Sequence, residues 1–383
     1  MKNIYLDYQS STPTSSTALR AMEPYWAEHY GNPHSREHSA GWAATEAVRE
    51  ASSRIASRLA IGEDEVVFTS GATEANALAI LGYAISAYEQ GTAARILVGA
   101  AEHKSVLEAA KQAERMFGAH RTVLKVDRGG RVDREELIGR LQEGAALLSI
   151  GLVNGEIGTI EDIAEIAAIA DRFDATLHSD ASQATAVTSF KHVLSHAHLV
   201  SLSSHKCYGP KGVGALCGRW ETLSHLTPLV PGGGQQGGLR GGTVPTPLVV
   251  GFSAALEEAQ EHLSKNIEHL AAMSKLLFEG LSSAIPNLEL VGSDRRHAGN
   301  LNVMIPGVDA QTLLAELQPG LSASTGSACA SGAEGPSHVL LTIGLQPQEA
   351  RSCVRLSVGL PTTRAEIDQA VELIINAIDA ADS

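Results

Sequence analysis

Cysteine is scarce in this sequence. Its 383 residues hold four, Cys207, Cys217, Cys329 and Cys353, and no two form a C-x-x-C pair. That argues against a disulfide framework and for a reducing compartment. Long apolar runs are missing as well: no stretch of about 18 apolar residues occurs, so no membrane span is expected. The opening Met1-Lys-Asn-Ile-Tyr-Leu-Asp7 has neither the apolar stretch of a signal peptide nor the Arg/Ser-rich character of a transit peptide, and a soluble cytoplasmic protein is expected. Positive charge is in deficit, with 29 Lys and Arg against 43 Asp and Glu, a net charge of −14. Such a balance argues against sequence-independent nucleic-acid binding, which needs a basic surface. What is abundant is apolar surface, at 44% of residues, enough to bury a sizeable core. Glycine is frequent too, at 37 residues. Positions without a side chain suit anion-binding turns and close ligand approach.

From residue 66 onward, short apolar runs alternate with helical periods. Strands are expected at 66–69, 95–98, 122–126, 147–153, 175–178, 199–202 and 213–216. Helices are expected near 72–89, 104–117, 133–142 and 161–173. Strands separated by helices imply right-handed crossovers and a mainly parallel sheet covered on both faces. Ligands of such sheets gather at the carboxyl ends of the strands. A Gly-rich break at 231–242 is followed by a helical pattern over about 247–284, long enough for one connecting helix. The expected division is a large α/β domain, residues 15–260, and a small α+β domain formed by 1–14 and 261–383.

Several strand ends carry reactive side chains. Lys206 follows a buried strand and precedes a Gly-rich turn; it is either a surface lysine or, in a partly dry site, an amine able to form a Schiff base. Asp180, 26 residues earlier, also ends a strand and could bind a metal, cap a helix or pair with a protonated ring nitrogen. Together with Lys206 the third option gains weight, because pyridoxal phosphate needs a lysine and an acid on its pyridinium. Thr69-Ser-Gly-Ala-Thr-Glu74 opens a helix and suits a single phosphate monoester or ordinary capping. No Gly-Lys-Ser/Thr follows, so it is not a triphosphate loop. His103 follows another strand and could stack on a flat ring or be structural. Asn154 could bond a cofactor oxygen or shape a turn. Arg355 could hold a carboxylate with two prongs or form a surface ion pair. Cys329 sits among small residues, which suggests an exposed loop and a reachable thiol. Cys353 and Cys217 lie in apolar patterns, as core cysteines do. His205, Cys207 and Cys217 match no common zinc spacing, and no metal site is expected.

Taken in order, Tyr5-Leu-Asp-Tyr8, Gly31-Asn-Pro-His-Ser-Arg36, Phe68–Glu74, Glu102-His-Lys104, Val153–Gly158, His178–Gln183, Ser204-His-Lys206, Tyr208–Gly212, Arg240-Gly-Gly-Thr243 and Gly326-Ser-Ala-Cys329 resemble the cysteine desulfurases of the NifS and IscS group, in the class V aminotransferase superfamily. The resemblance covers nearly the whole chain. It implies the fold of type I pyridoxal-phosphate-dependent transferases, with a mainly parallel mixed sheet, a small α+β C-terminal domain and a homodimer. By position, Lys206 is then the Schiff-base lysine, Asp180 the pyridinium partner, Gln183 the donor to the ring oxygen and His103 the residue stacked on the ring. Ala72, Thr73, Ser203 and His205 contact the phosphate, joined by Thr243 of the other subunit. Asn154 and Arg355 hold the carboxylate of L-cysteine. Cys329, on a loop at about 322–335, accepts the sulfur as a persulfide and leaves alanine. The sulfur then passes to an acceptor protein serving iron–sulfur clusters, tRNA thiolation or DNA phosphorothioation, with no direct nucleic-acid contact. The opening around Gln9 resembles the phosphorothioation subtype, DndA. Other readings are a selenocysteine lyase or another class V lyase or aminotransferase, and a non-catalytic sulfur-transfer scaffold.

Overall fold

The computed structural model describes residues 3–144, 146–191, 193–326 and 335–381. Strand β1 (Ile4–Tyr5) opens the chain. Seven strands then build the central sheet: β2 (Val66–Thr69), β3 (Arg95–Gly99), β4 (His120–Leu124), β5 (Leu147–Ser149), β6 (Thr176–Asp180), β7 (Leu199–Ser203) and β8 (Gly214–Gly218). Their order is β2-β8-β7-β6-β5-β3-β4. Pairs among β4, β3, β5, β6 and β7 are parallel, whereas β8 runs antiparallel to both neighbours. The sheet is thus mixed and mainly parallel. Helices cover the faces of the sheet, and every residue of β2, β7 and β8 is buried.

Helix Lys104–Phe117 shows how local sequence makes these crossovers. Val106, Ala109, Ala110 and Ala113 repeat on one face and are buried. The His103 side chain caps its start, and Gly118, with φ 67°, ends it in the left-handed region. Strand order reverses between β3 and β5. At such a switch point the two flanking loops diverge and leave a crevice at the carboxyl ends.

Two large apolar clusters lie apart. One gathers residues such as Ile55, Phe68, Leu148, Leu177, Val200 and Phe252 around the central sheet. The other joins Ile4 and Leu6 to Leu277, Val303, Leu356 and Ile374. In this second body β10 (Asn300–Met304) pairs antiparallel with β9 (Glu289–Leu290) and β12 (Cys353–Ser357), while β1 runs parallel to β11 (Leu321–Ser322).

The single helix expected over 247–284 is two, Thr246–Glu261 and Leu263–Ala284, broken at His262 with φ −100° and ψ 14°. Its ring Nδ1 faces the Glu258 carbonyl oxygen at 3.0 Å. The apolar period runs on through this residue with no Gly or Pro to mark the break, so periodicity alone cannot register it.

Candidate active site

The parallel strands deliver four of the sequence-predicted residues to one edge of the sheet. His103 follows β3, Asn154 follows β5, Asp180 ends β6 and Lys206 closes the turn after β7. His103, Asn154, Gln183, Lys206 and Arg355 line one cleft, with Glu102 and Glu156 beside them. Arg355 comes from β12, so the cleft draws on both apolar bodies.

The opening segment forms a wall of this cleft, a role that sequence reasoning missed. Lys206 Nζ donates to the carbonyl oxygens of Gln9 at 2.5 Å and Ser10 at 2.9 Å. Gln183 Nε2 donates to the same Gln9 oxygen at 2.9 Å. The Arg355 guanidinium donates to Asp7 Oδ1 at 2.6 Å, Ser10 Oγ at 2.7 Å and the Gly155 carbonyl at 2.9 Å. The Arg355 side chain is only 5% exposed and that of Asp7 16%, so this ion pair does not lie on the surface. A buried arginine without such a partner would lose several kcal/mol of hydration uncompensated, on the order of the cost of breaking any buried pair.

Asp180 accepts from Asn76 Nδ2 at 2.7 Å and from the Ser182 N–H at 2.9 Å. Asn154 shapes its own turn: its Oδ1 accepts from the Glu156 and Ile157 N–H groups, and its Nδ2 donates to the Ala101 carbonyl. Ala72 and Thr73 begin helix Ala72–Glu89 directly after Gly71. Gly71 has φ +150° and no atom within 4 Å of where a Cβ would stand. Glycine is needed there for the backbone, and neither Ala72 nor Thr73 beside it is buried. Ser203 is buried at the end of β7. His205 faces Ser11 Oγ at 3.2 Å, and burial, aided by Lys206 and Lys211, pushes its pKa down to about 4. Thr243 is exposed and is not part of this chain's cleft lining.

Cys329 lies outside the described residues. The chain on either side of its segment meets the cleft. Ser324 exchanges backbone hydrogen bonds with Arg355 at 2.7 and 3.2 Å. Gly326 rests against the Glu156 carboxyl. On the return, His338 Nε2 faces the Glu102 carbonyl at 3.0 Å. Cys207, Cys217 and Cys353 are buried, and burial raises each thiol's pKa.

Two buried carboxyls flank the site. Burial pushes Glu102 up to about 8; the Gly151 N–H opposes this, and the charges of Asp180 and Glu161 add to it. Burial likewise pushes Glu156 up to about 7, against Ser337, Arg355 and Lys104. In the unfolded chain Glu102 titrates near 4.5. The folded state therefore binds the extra proton from there to about 8, and stability falls as pH rises through that window and is level above it. Glu102→Gln is expected to remove this slope, so the variant gains on the parent by up to about 1.4 kcal/mol per pH unit. Denaturant unfolding of both chains between about pH 5 and about pH 8 measures it. A pH-independent difference would show that Glu102 stays ionised.

A mainly parallel sheet with a lysine, an acid and an imidazole at the carboxyl ends of its strands, closed by an arginine from a second body, defines a class of enzyme fold. The chain matches the class-V aminotransferase family over residues 4–370 and belongs to it. Within that family it is 39% identical to the cysteine desulfurase IscS of Rickettsia typhi, over 98% of this chain and 91% of that one. Among solved structures, a NifS-like protein superposes with a TM-score of 0.90 at 29% identity, covering 98% of this chain and 99% of the other. SspA in complex with cysteine superposes with a TM-score of 0.82 at 33% identity, covering 93% and 99%. Among the described residues no helix is long and apolar enough to cross a membrane.

Proposed function

We propose that this chain is a pyridoxal-phosphate-dependent cysteine desulfurase. The observation that carries the reading is the meeting of Lys206, Gln183, His103 and Arg355 in one cleft, in a chain whose relatives include named cysteine desulfurases.

The donor set fits the cofactor. Lys206 offers an amine for its aldehyde, Asp180 a carboxylate for its ring nitrogen, Gln183 an amide for its ring oxygen and His103 a flat ring for its face. Ala72 and Thr73, at the open helix start beside Gly71, would take the phosphate, with Ser203, His205 and a partner subunit's Thr243. When bound, the cofactor supplies an electron sink for the bonding pair left at Cα of the substrate. The residues do the rest. Arg355 and Asn154 orient the cysteine carboxylate. Lys206 would move the Cα proton. The Cys329 thiolate takes the substrate sulfur: an S–S bond forms, the C–S bond breaks, and protons return to the carbon fragment. The balance is Cys329–SH plus L-cysteine giving Cys329–S–SH plus L-alanine. Residues 15–260 would carry the cofactor, and 1–14 with 261–383 the cysteine. The enzyme works as a cytoplasmic homodimer and hands its persulfide to an acceptor protein. The test is direct: with pyridoxal phosphate the chain should absorb visible light and convert L-cysteine to equal amounts of alanine and sulfane sulfur. A loaded, folded chain that yields no alanine would refute it.

Arg355→Lys keeps the charge that pairs with Asp7 but loses the planar fork. It is expected to raise KM for L-cysteine at least about tenfold, with a smaller change in kcat. Cysteamine, which lacks the carboxylate, should bind both chains alike in a spectral titration. An unchanged KM would remove Arg355 from substrate binding.

A further inference from the structure

Asn76 lies on helix Ala72–Glu89 and is fully buried. Its Nδ2 donates twice, to Asp180 Oδ2 at 2.7 Å and to Ser105 Oγ at 2.9 Å. A carboxylate only accepts, so the amide must turn its nitrogen toward Asp180. The flipped amide would set two oxygens face to face. The structure keeps this orientation although Asn76 Oδ1 has no hydrogen-bond partner among the described residues. Ser105 Oγ therefore accepts from Asn76. Its own hydrogen is left for its other neighbour, His103 Nδ1, at 2.7 Å. The Ser105 backbone N–H points at the same nitrogen from 3.1 Å. His103 Nδ1 thus receives two donors and has no room for a proton of its own.

We infer that the chain of hydrogen bonds Asp180–Asn76–Ser105–His103 fixes His103 as the tautomer that carries its proton on Nε2. Asn76 and Ser105 are positioning residues: the carboxylate at one end dictates the proton's place at the other. His103 then meets the reaction as an N–H donor at Nε2. It can take a proton only at Nδ1, on the ring edge turned back into the helix start. The catalytic side of this inference rests on reading Asp180 and His103 as cofactor contacts; the tautomer itself does not.

The test is a long-range proton–nitrogen correlation spectrum of the full chain labelled with ¹⁵N-histidine, recorded without and then with pyridoxal phosphate. His103 is assigned by the signal lost in His103→Gln. The expected pattern is an acceptor-type Nδ1 and a protonated Nε2 in both spectra. Ser105→Ala removes one of the two donors and should lower the ratio of Nε2–H to Nδ1–H tautomer about fivefold, as expected for one net hydrogen bond. Ser105→Thr restores the hydroxyl and should restore the ratio. A proton on Nδ1 in the parent chain, or a ratio untouched in Ser105→Ala, would overturn the inference. Failure of the cofactor reading shows separately, as no visible absorbance on loading, and leaves the cofactor-free spectrum to decide the tautomer.

Discussion

Lys206→Ala is expected to lose turnover of L-cysteine by at least about a thousandfold, the scale seen when a covalent catalytic group is removed. Its Nζ is held by the Gln9 and Ser10 carbonyls at the floor of the cleft. Among the described residues, the other lysine and arginine side chains of the cleft lining are Lys104 and Arg355, and Lys206 is the one that follows strand β7. The variant should bind pyridoxal phosphate only through the phosphate and ring contacts. Its visible absorbance should match that of free cofactor and be washed out by dialysis. The absorbance spectrum before and after dialysis, with alanine release, makes the measurement. A variant that retains the parent spectrum would mean that another amine holds the aldehyde.

Cys329→Ala should separate the two halves of the chemistry. Cofactor absorbance and spectral changes on adding L-cysteine should survive, because Lys206, Asp180 and Arg355 are intact. Persulfide on the protein should vanish, and alanine release should fall by at least about a hundredfold, since removal of a nucleophile leaves only binding and the cofactor's own reactivity. The supporting geometry is at the flanks of its segment: Ser324 is paired to Arg355, and His338 to Glu102. Both flanks border the cleft, which is where a thiol attacking a bound substrate must begin. Mass spectrometry of the protein after one turnover detects the added sulfur atom. Continued turnover at the parent rate would point to another acceptor, and the three buried cysteines, with thiols raised by burial, are poorly suited to the part.

Most of the central sheet was legible in the sequence because β2, β3, β5 and β8 are short apolar runs and helical stretches separate several of the strands, whereas β4, expected at 122–126, stands at His120–Leu124. The helices at 72–89 and 104–117 stand where periodicity places them. Lys206, Asp180, His103 and Asn154 could be singled out by one rule, that ligands meet parallel sheets at carboxyl ends. Other contacts leave no local trace. Asp7 and Arg355 are 348 residues apart, and nothing in either neighbourhood encodes the other. Asn76 sits inside a helix whose sequence reads only as apolar filling, so its amide could not be linked to Asp180 without coordinates. Nothing in the sequence around Glu102 signals that it is buried with its carboxylate accepting from the Gly151 N–H, a residue 49 positions away.

The wall built by residues 7–12 has a consequence for the order in which the enzyme becomes competent. These residues are translated before what they must grip, His205, Lys206 and Arg355, which lie far downstream in the chain. Such long-range closure is entropically slow. The cleft can therefore be finished only after Arg355 has been translated, and any ligand that needs both of its walls is taken up late in biogenesis.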